Sequence, residues 1–293
     1  MSKVWFITGS SRGLGRALAE AVLENGDRLV ATARDPDQLA DLAHRFGDRV
    51  RAVALDVTDA EGARRAVATA VDAFGRLDVL VNNAGYANVN SIEDMAEDDF
   101  RAQIETNLFG VVNVTRAALP VVRAQRAGHI IQISSLGGRG ATPGIAAYQT
   151  AKWAVGGFSE VLAKEVAPLG IKVTVVEPGG MRTDWAGSSM HIDAIRSEYQ
   201  PTVGALTKLR GNADVMRSDP KKVAQAVVGI ASETQPPLRL LIGSDAVFLA
   251  GLFSAARAGE DAKWKALSLS TDVDDLGDFA DTPMAKQLVA MQS

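Results

Sequence analysis

From Val4 to Ala246 the chain repeats one pattern: a short apolar run, a polar or glycine-rich turn, then a stretch with helical period. The runs are Val4–Ile7, Leu29–Ala33, Val50–Leu55, Leu77–Val81, His129–Ile133, Ile171–Val176 and Leu238–Ile242. Runs that are apolar without alternation suit strands buried on both faces, and strands that alternate with helices assemble as a parallel sheet covered on both sides. The pattern therefore predicts the α/β class: a three-layer, doubly wound fold around a mostly parallel seven-stranded sheet. The intervening helices are expected at Arg16–Asn25, Pro36–Phe46, Ala60–Phe74, about 98–126, Tyr148–Pro168 and Lys221–Ser232. Residues 1–246 read as one domain, with a long loop at 184–219 where regular pattern dissolves. A loop of that length in a compact domain is commonly a lid or binding segment. Residues 247–293 read as a C-terminal extension of the same domain, with short helices at Val247–Arg257 and Glu260–Ser268 and an acidic, loosely held stretch at Thr271–Asp281.

In such a sheet, ligands bind at the carboxyl ends of the strands. The first strand runs into Thr8-Gly9-Ser10-Ser11-Arg12-Gly13-Leu14-Gly15 and then a helix. Glycines there let backbone approach a pyrophosphate, and the helix start offers free N–H groups and a favourable dipole. The turn is expected to hold a dinucleotide through Gly9, Ser11, Arg12, Gly13, Leu14 and Gly15. Glycines at strand-to-helix turns can also serve geometry alone. The second strand ends in Arg34-Asp35-Pro36. At that place an arginine accommodates a ribose 2′-phosphate and a carboxylate accepts from a 2′-hydroxyl. Arg34 and Arg12 point to NADP(H). Asp35 would point to NAD(H), but Asp before Pro at a helix start also reads as an N-cap.

Tyr148 and Lys152 stand four residues apart in SSLGGRGATPGIAAYQTAKWA (134–154), so on a helix they share a face. A cation beside a phenol favours the phenolate, and a phenol so tuned is a usable general acid/base. Ser135, in the turn after the fifth strand, can hydrogen-bond a substrate oxygen and place it against Tyr148. Tyr-x-x-x-Lys is a short motif that chance supplies readily. Neither Tyr86 nor Tyr199 has a lysine four residues on.

Composition narrows the alternatives. A net charge of −4 gives no basic footprint for nucleic acid or a membrane surface. The absence of Cys excludes disulfides, thiolate metal sites and thiol nucleophiles, and three scattered His (His44, His129, His191) make no metal site. With no secretory segment at the start and no long apolar span, a cytoplasmic protein is expected.

Taken together, Thr8-Gly9-x-x-x-Gly13-x-Gly15, Asn82-Asn83-Ala84-Gly85, Asn107, Ser135, Tyr148-x-x-x-Lys152 and Pro178-Gly179 with Thr183 resemble the short-chain dehydrogenase/reductase family, in order and spacing, over about Lys3 to Ala246. The resemblance implies a Rossmann fold and an oxidoreductase moving hydride between a nicotinamide and a carbonyl or secondary alcohol. It implies that Tyr148 carries the proton, Ser135 orients the substrate oxygen, Lys152 binds the nicotinamide ribose and tunes Tyr148, and Asn107 holds a relay water. Asp56, Val57, Asn83, Ala84 and Gly85 would lie along the adenosine side and strand framework, and Pro178, Gly179 and Thr183 at the nicotinamide end. Gly180, Trp185 and Met190 are candidate substrate contacts beside Ser135 and Tyr148, and Arg139 or His191 could meet an acidic group. A homodimer or homotetramer is implied, with small residues Gly156, Gly157 and Ala163 suited to helix pairing. The alternative is a dinucleotide-binding sensor or scaffold without turnover.

Overall fold

The computed structural model describes residues 2–183, 190–210, 215–273 and 276–290. Seven strands form one sheet in the order β3-β2-β1-β4-β5-β6-β7: β1 (Val4–Ile7), β2 (Arg28–Ala33), β3 (Val50–Ala54), β4 (Val79–Asn82), β5 (Gly128–Ile133), β6 (Ile171–Pro178) and β7 (Arg239–Ile242). Every pairing is parallel. The sheet is thus wholly rather than mostly parallel, because each connection crosses over through helix and returns to the same end.

Helices cover both faces. Alternate residues of β1 show why: Trp5 and Ile7 join a core with Leu18 and Val22 of α1 (Gly13–Glu24), Leu42 of α2 (Ala40–Phe46) and Val227 of α8 (Pro220–Ile230). Val4 and Phe6 point the other way, into a core with Val67 of α3 (Ala60–Phe74), Val114 of α5 (Gly110–Gln125) and Leu162 of α6 (Ala146–Val166). Each fully buried large side chain contributes about 1.5–3 kcal/mol of transfer free energy. Local signals fix the helix ends. Asp59 caps α3 by accepting from Glu61 N at 3.0 Å, and Gly75 ends it with φ 77°, while Asp219 caps α8 through Lys221 N at 2.8 Å.

The single helix expected at 98–126 is α4 (Glu97–Ile104) and α5 joined through a π-helical turn, Glu105–Phe109. Within the loop expected at 184–219, the described residues include a 3₁₀ turn (Ser197–Tyr199), a π turn (Gln200–Gly204) and the short α7 (Ala205–Arg210). Residues 184–189, with Trp185, lie outside the described residues.

The chain divides into two compact units, Met1–Ala250 and Gly251–Ser293. The two short helices expected after Val247 are one continuous α9 (Ser244–Leu269). A single interior glycine such as Gly259 costs only about 1 kcal/mol relative to alanine, too little to break a helix of good formers. The second unit also contains α10 (Pro283–Ala290), which was not expected from the sequence although Thr282 before Pro283 is a helix-start signal; Thr282 Oγ1 accepts from Ala285 N at 3.1 Å. Among the described residues no helix is long and apolar enough to cross a membrane.

Candidate active site

Strand order reverses between β1 and β4, so the loops that follow them open the crevice where doubly wound sheets bind ligands. Gly9 has φ 67° and Gly13 φ 57°, the left-handed region that only glycine enters freely. α1 begins with Arg12 at the N-cap without a side-chain cap and with no acid in its first turn. The first N–H groups of a helix have no intrahelical partner and can donate to a phosphate. Close packing accounts for Gly15: a Cβ there would fall 2.1 Å from Gly9 O and 2.4 Å from Asn83 Nδ2. Asn83 ties the crevice together, donating from Nδ2 to Thr8 O (2.9 Å) and Gly9 O (3.1 Å). Thr8 Oγ1 in return accepts from Asn83 N and Ala84 N, each at 2.9 Å. The residues present fit a dinucleotide's pyrophosphate.

The loops after the other strands reach the same edge. Arg34 is exposed at the end of β2. Asp35 accepts from Asp37 N at 3.1 Å and caps the 3₁₀ turn Pro36–Leu39, so its carboxylate is engaged as the N-cap reading anticipated. Asp56 is exposed and accepts from Thr58 N (2.9 Å) and Thr58 Oγ1 (2.8 Å), with Val57 buried beside it. After β6, Gly179 N donates to Ile242 O at 2.9 Å and Gly180 N to Asp245 Oδ2 at 2.7 Å. Thr183 folds back toward the glycine turn: a Cβ on Gly13 would lie 3.8 Å from Thr183 Cβ.

On α6, Lys152 is buried, and its Nζ donates to Ile133 O, the last residue of β5, at 2.7 Å. Burial pushes its pKa down from 10.5 to about 8. The same ammonium lies 5.6 Å from the centroid of the Tyr148 ring. Ser134 Oγ donates to Lys152 O at 3.2 Å, so both ends of this lysine hold α6 to the end of β5. Ser135 caps the 3₁₀ turn Leu136–Gly138, accepting from Gly137 N at 3.0 Å. Gln149, next to Tyr148, reaches back over that turn to Gly140 O (3.2 Å) and Thr142 Oγ1 (3.1 Å). Asn107 sits on the π turn, fully buried. Its Nδ2 donates to Tyr86 O (2.9 Å) and Gln103 O (2.8 Å), while Oδ1 accepts from Tyr86 N at 3.1 Å. Gly85 lies where these groups meet: a Cβ there would stand 2.4 Å from Asn107 Oδ1 and 3.6 Å from Lys152 Nζ.

Tyr148 itself belongs to a small apolar cluster with Ala87, Val89, Ile145 and Val203, flanked by Met190, Ile195 and Tyr199. Next to that cluster is a cavity of about 840 Å³ whose wall includes Pro143, Trp153, Tyr199 and Val203 but neither Tyr148 nor Ser135. His191 pairs with Asp193 at 2.9 Å, and Arg139 turns to the buried Glu177 at 2.6 Å.

A model of the family described as short chain dehydrogenase matches residues 3–192. The chain belongs to that family. It is 56% identical to Oxidoreductase BOA17 of Botryotinia fuckeliana over 273 residues, 92% of this chain and all of that one. Among solved structures it is similar to a short-chain dehydrogenase from Streptomyces avermitilis, with TM-score 0.87 and 40% identity over 92% of this chain and 98% of the other. It is also similar to an alcohol dehydrogenase from the archaeon Thermococcus sibiricus complexed with 5-hydroxy-NADP, with TM-score 0.69 and 26% identity over 83% and 96% of the two chains. As a short-chain dehydrogenase the protein is an oxidoreductase of a family that acts on carbonyl and alcohol groups with nicotinamide cofactors. Gln149, Glu177 and Asp245 were not singled out as site residues from sequence. Their contribution is a set of hydrogen bonds between loops far apart in the chain, for which short-range pattern holds no signal.

Proposed function

We propose that this short-chain dehydrogenase is an NADP(H)-dependent carbonyl reductase or alcohol dehydrogenase acting on a moderately apolar small molecule. The observation that carries the reading is the buried Lys152 ammonium, held by Ile133 O and set beside the Tyr148 ring on one helix. A bound nicotinamide dinucleotide supplies or accepts the hydride. Ser135 Oγ hydrogen-bonds the substrate oxygen. Tyr148 gives that oxygen its proton in reduction and takes it in oxidation, and the Lys152 cation stabilises the negative charge left on the Tyr148 oxygen. Asn107 holds the backbone of Tyr86 beside the lysine and is assigned the relay water. The apolar neighbours of Tyr148, with Met190 among them, suit a substrate with hydrocarbon on both sides of its carbonyl.

The preference for NADP(H) rests on charge. Arg34 and Arg12 offer guanidiniums to a 2′-phosphate, while Asp35 is occupied as a cap and competes weakly for ribose hydroxyls. Charge-assisted hydrogen bonds are worth roughly 1.5–3 kcal/mol each. After discounting for solvent, kcat/KM for NADPH should exceed that for NADH at least about tenfold, the equivalent of about 1.4 kcal/mol. Arg34→Ala should erode most of that ratio and leave NADH kinetics nearly unchanged, and adding Ala33→Asp should reverse it. A wild-type preference for NADH would overturn the assignment to Arg34. The assay is loss of NADPH absorbance with a panel of ketones and aldehydes. Binding without turnover across that panel would mark a dinucleotide sensor instead.

We further infer a homodimer or homotetramer. The support is the exposure of large apolar side chains at Phe109 beside α5 and at Trp153 and Val161 on α6. Gly156 does not serve that surface, contrary to the expectation from sequence, because it is buried and faces Arg239, whereas Gly157 is open. Light scattering at micromolar concentration should give at least twice the 30.9 kDa of one chain; a monomer throughout would refute this.

A further inference from the structure

Glu177 stands just before Pro178 and Gly179 at the end of β6, with none of its surface exposed. A buried carboxylate is costly unless opposite charges and donors surround it. Two guanidiniums do so. Arg139 Nε donates to Oε2 at 2.6 Å, and Arg239 Nε donates to Oε1 at 3.0 Å. Arg239, on β7, also donates from Nη1 to Glu160 Oε1 on α6 at 2.6 Å. Two arginines and two glutamates leave this cluster with no net charge. Gly156 makes room for it, since a Cβ there would fall 2.9 Å from Arg239 Nη2.

What the cluster joins gives it a role in the reaction. Arg139 closes the tight turn that Ser135 opens: Gly138 N donates to Ser135 O at 2.8 Å and Arg139 N to Leu136 O at 2.9 Å. A shift of Arg139 is therefore passed to Ser135 through a short, hydrogen-bonded segment. Glu177 leads into the loop assigned to the nicotinamide end, and Glu160 lies on the helix that carries Tyr148 and Lys152. A buried ion pair returns little net stability against an apolar replacement, so its distinctive contribution is geometry. Resting on the roles proposed above for Ser135 and Tyr148, we infer that Glu177 and Arg139 are positioning residues, a buried charge clamp that sets the Ser135 turn against the helix bearing Tyr148.

The test compares Arg139→Ala and Arg139→Lys with wild type, with Arg64→Ala, which removes a surface ion pair with Glu61 on α3, as control. Misplacement of a reacting partner by about 1 Å can cost on the order of a hundredfold. Arg139→Ala should lower kcat at least about tenfold while KM for the carbonyl and Kd for NADPH stay within about threefold, and Arg139→Lys should recover part of the loss. Hydrogen exchange of the amides at 134–140 should quicken in Arg139→Ala and not in Arg64→Ala. A lowered Tm with kcat per folded molecule unchanged would overturn the inference, as would unaltered exchange at 134–140. If wild type reduces no carbonyl, the reaction reading fails by itself; quickened exchange in Arg139→Ala then still upholds the clamp, and unaltered exchange removes it.

Discussion

Replacing Tyr148 by Phe is expected to abolish at least 99% of turnover, since a positioned general acid/base contributes roughly 10² to 10⁴ in rate. The fold should survive. Tyr148 is buried among Ala87, Val89, Ile145 and Val203, and the phenyl ring of the variant fills the same space against the same apolar neighbours. Affinity for the dinucleotide should also persist, because the glycine turn, Asn83 and Lys152 are untouched. With binding intact, the loss should appear in kcat and kcat/KM alike, the mark of an interaction made only in the transition state. The measurement is steady-state turnover with NADPH titration by fluorescence. Retention of more than a tenth of the wild-type rate would sink the assignment of Tyr148 as proton carrier.

Lys152→Met should slow turnover by about a hundredfold and at the same time stabilise the fold. Its Nζ lies 5.6 Å from the Tyr148 ring centroid; at an effective dielectric near 20, a charge pair roughly 4–7 Å apart is worth about 2–4 kcal/mol, or about two powers of ten in rate. The stability gain follows from burial, which lowers the lysine's pKa from 10.5 to about 8 and so disfavours the charged form in the folded chain. Below pH 8 both folded and unfolded lysines are protonated, and the folded protein bears the cost in full, about 3 kcal/mol. Between pH 8 and 10.5 the folded form loses its proton first, and the cost fades. The Tm of Lys152→Met should therefore exceed that of wild type at pH 7, with the gap closing as pH rises through that window. Part of the gain is offset because Ile133 O loses its donor. Over the same window the wild-type rate should fall as the ammonium is lost. A variant that is less stable than wild type at pH 7 and keeps its rate would contradict both halves of the argument.

Such a cost in stability sits where function demands a charge, which is the usual pattern at sites that sequence logic identifies by conflict. A lysine in a helix between Ala151 and Trp153 is locally unremarked, yet its burial is unexpected for that residue type. Four-residue spacing was enough to pair it with Tyr148, because helical period fixes which side chains share a face. Asn107 had no such local partner. Its place became physical only when the π turn and the backbone of Tyr86 came together around it.

Apolar periodicity and turn chemistry by themselves determined the order of the seven strands, the glycine turn that opens α1 and the cap role of Asp35, since all of these depend on neighbours within a few residues. Only the tertiary structure decided that every strand is parallel, that α9 runs unbroken, that Gly156 packs against Arg239, and that Arg139 binds Glu177 across 38 residues while Arg239 binds it across 62. Those outcomes turn on which buried charges and carbonyls find partners once the sheet has closed, and a partner tens of residues away leaves no period in the chain to read.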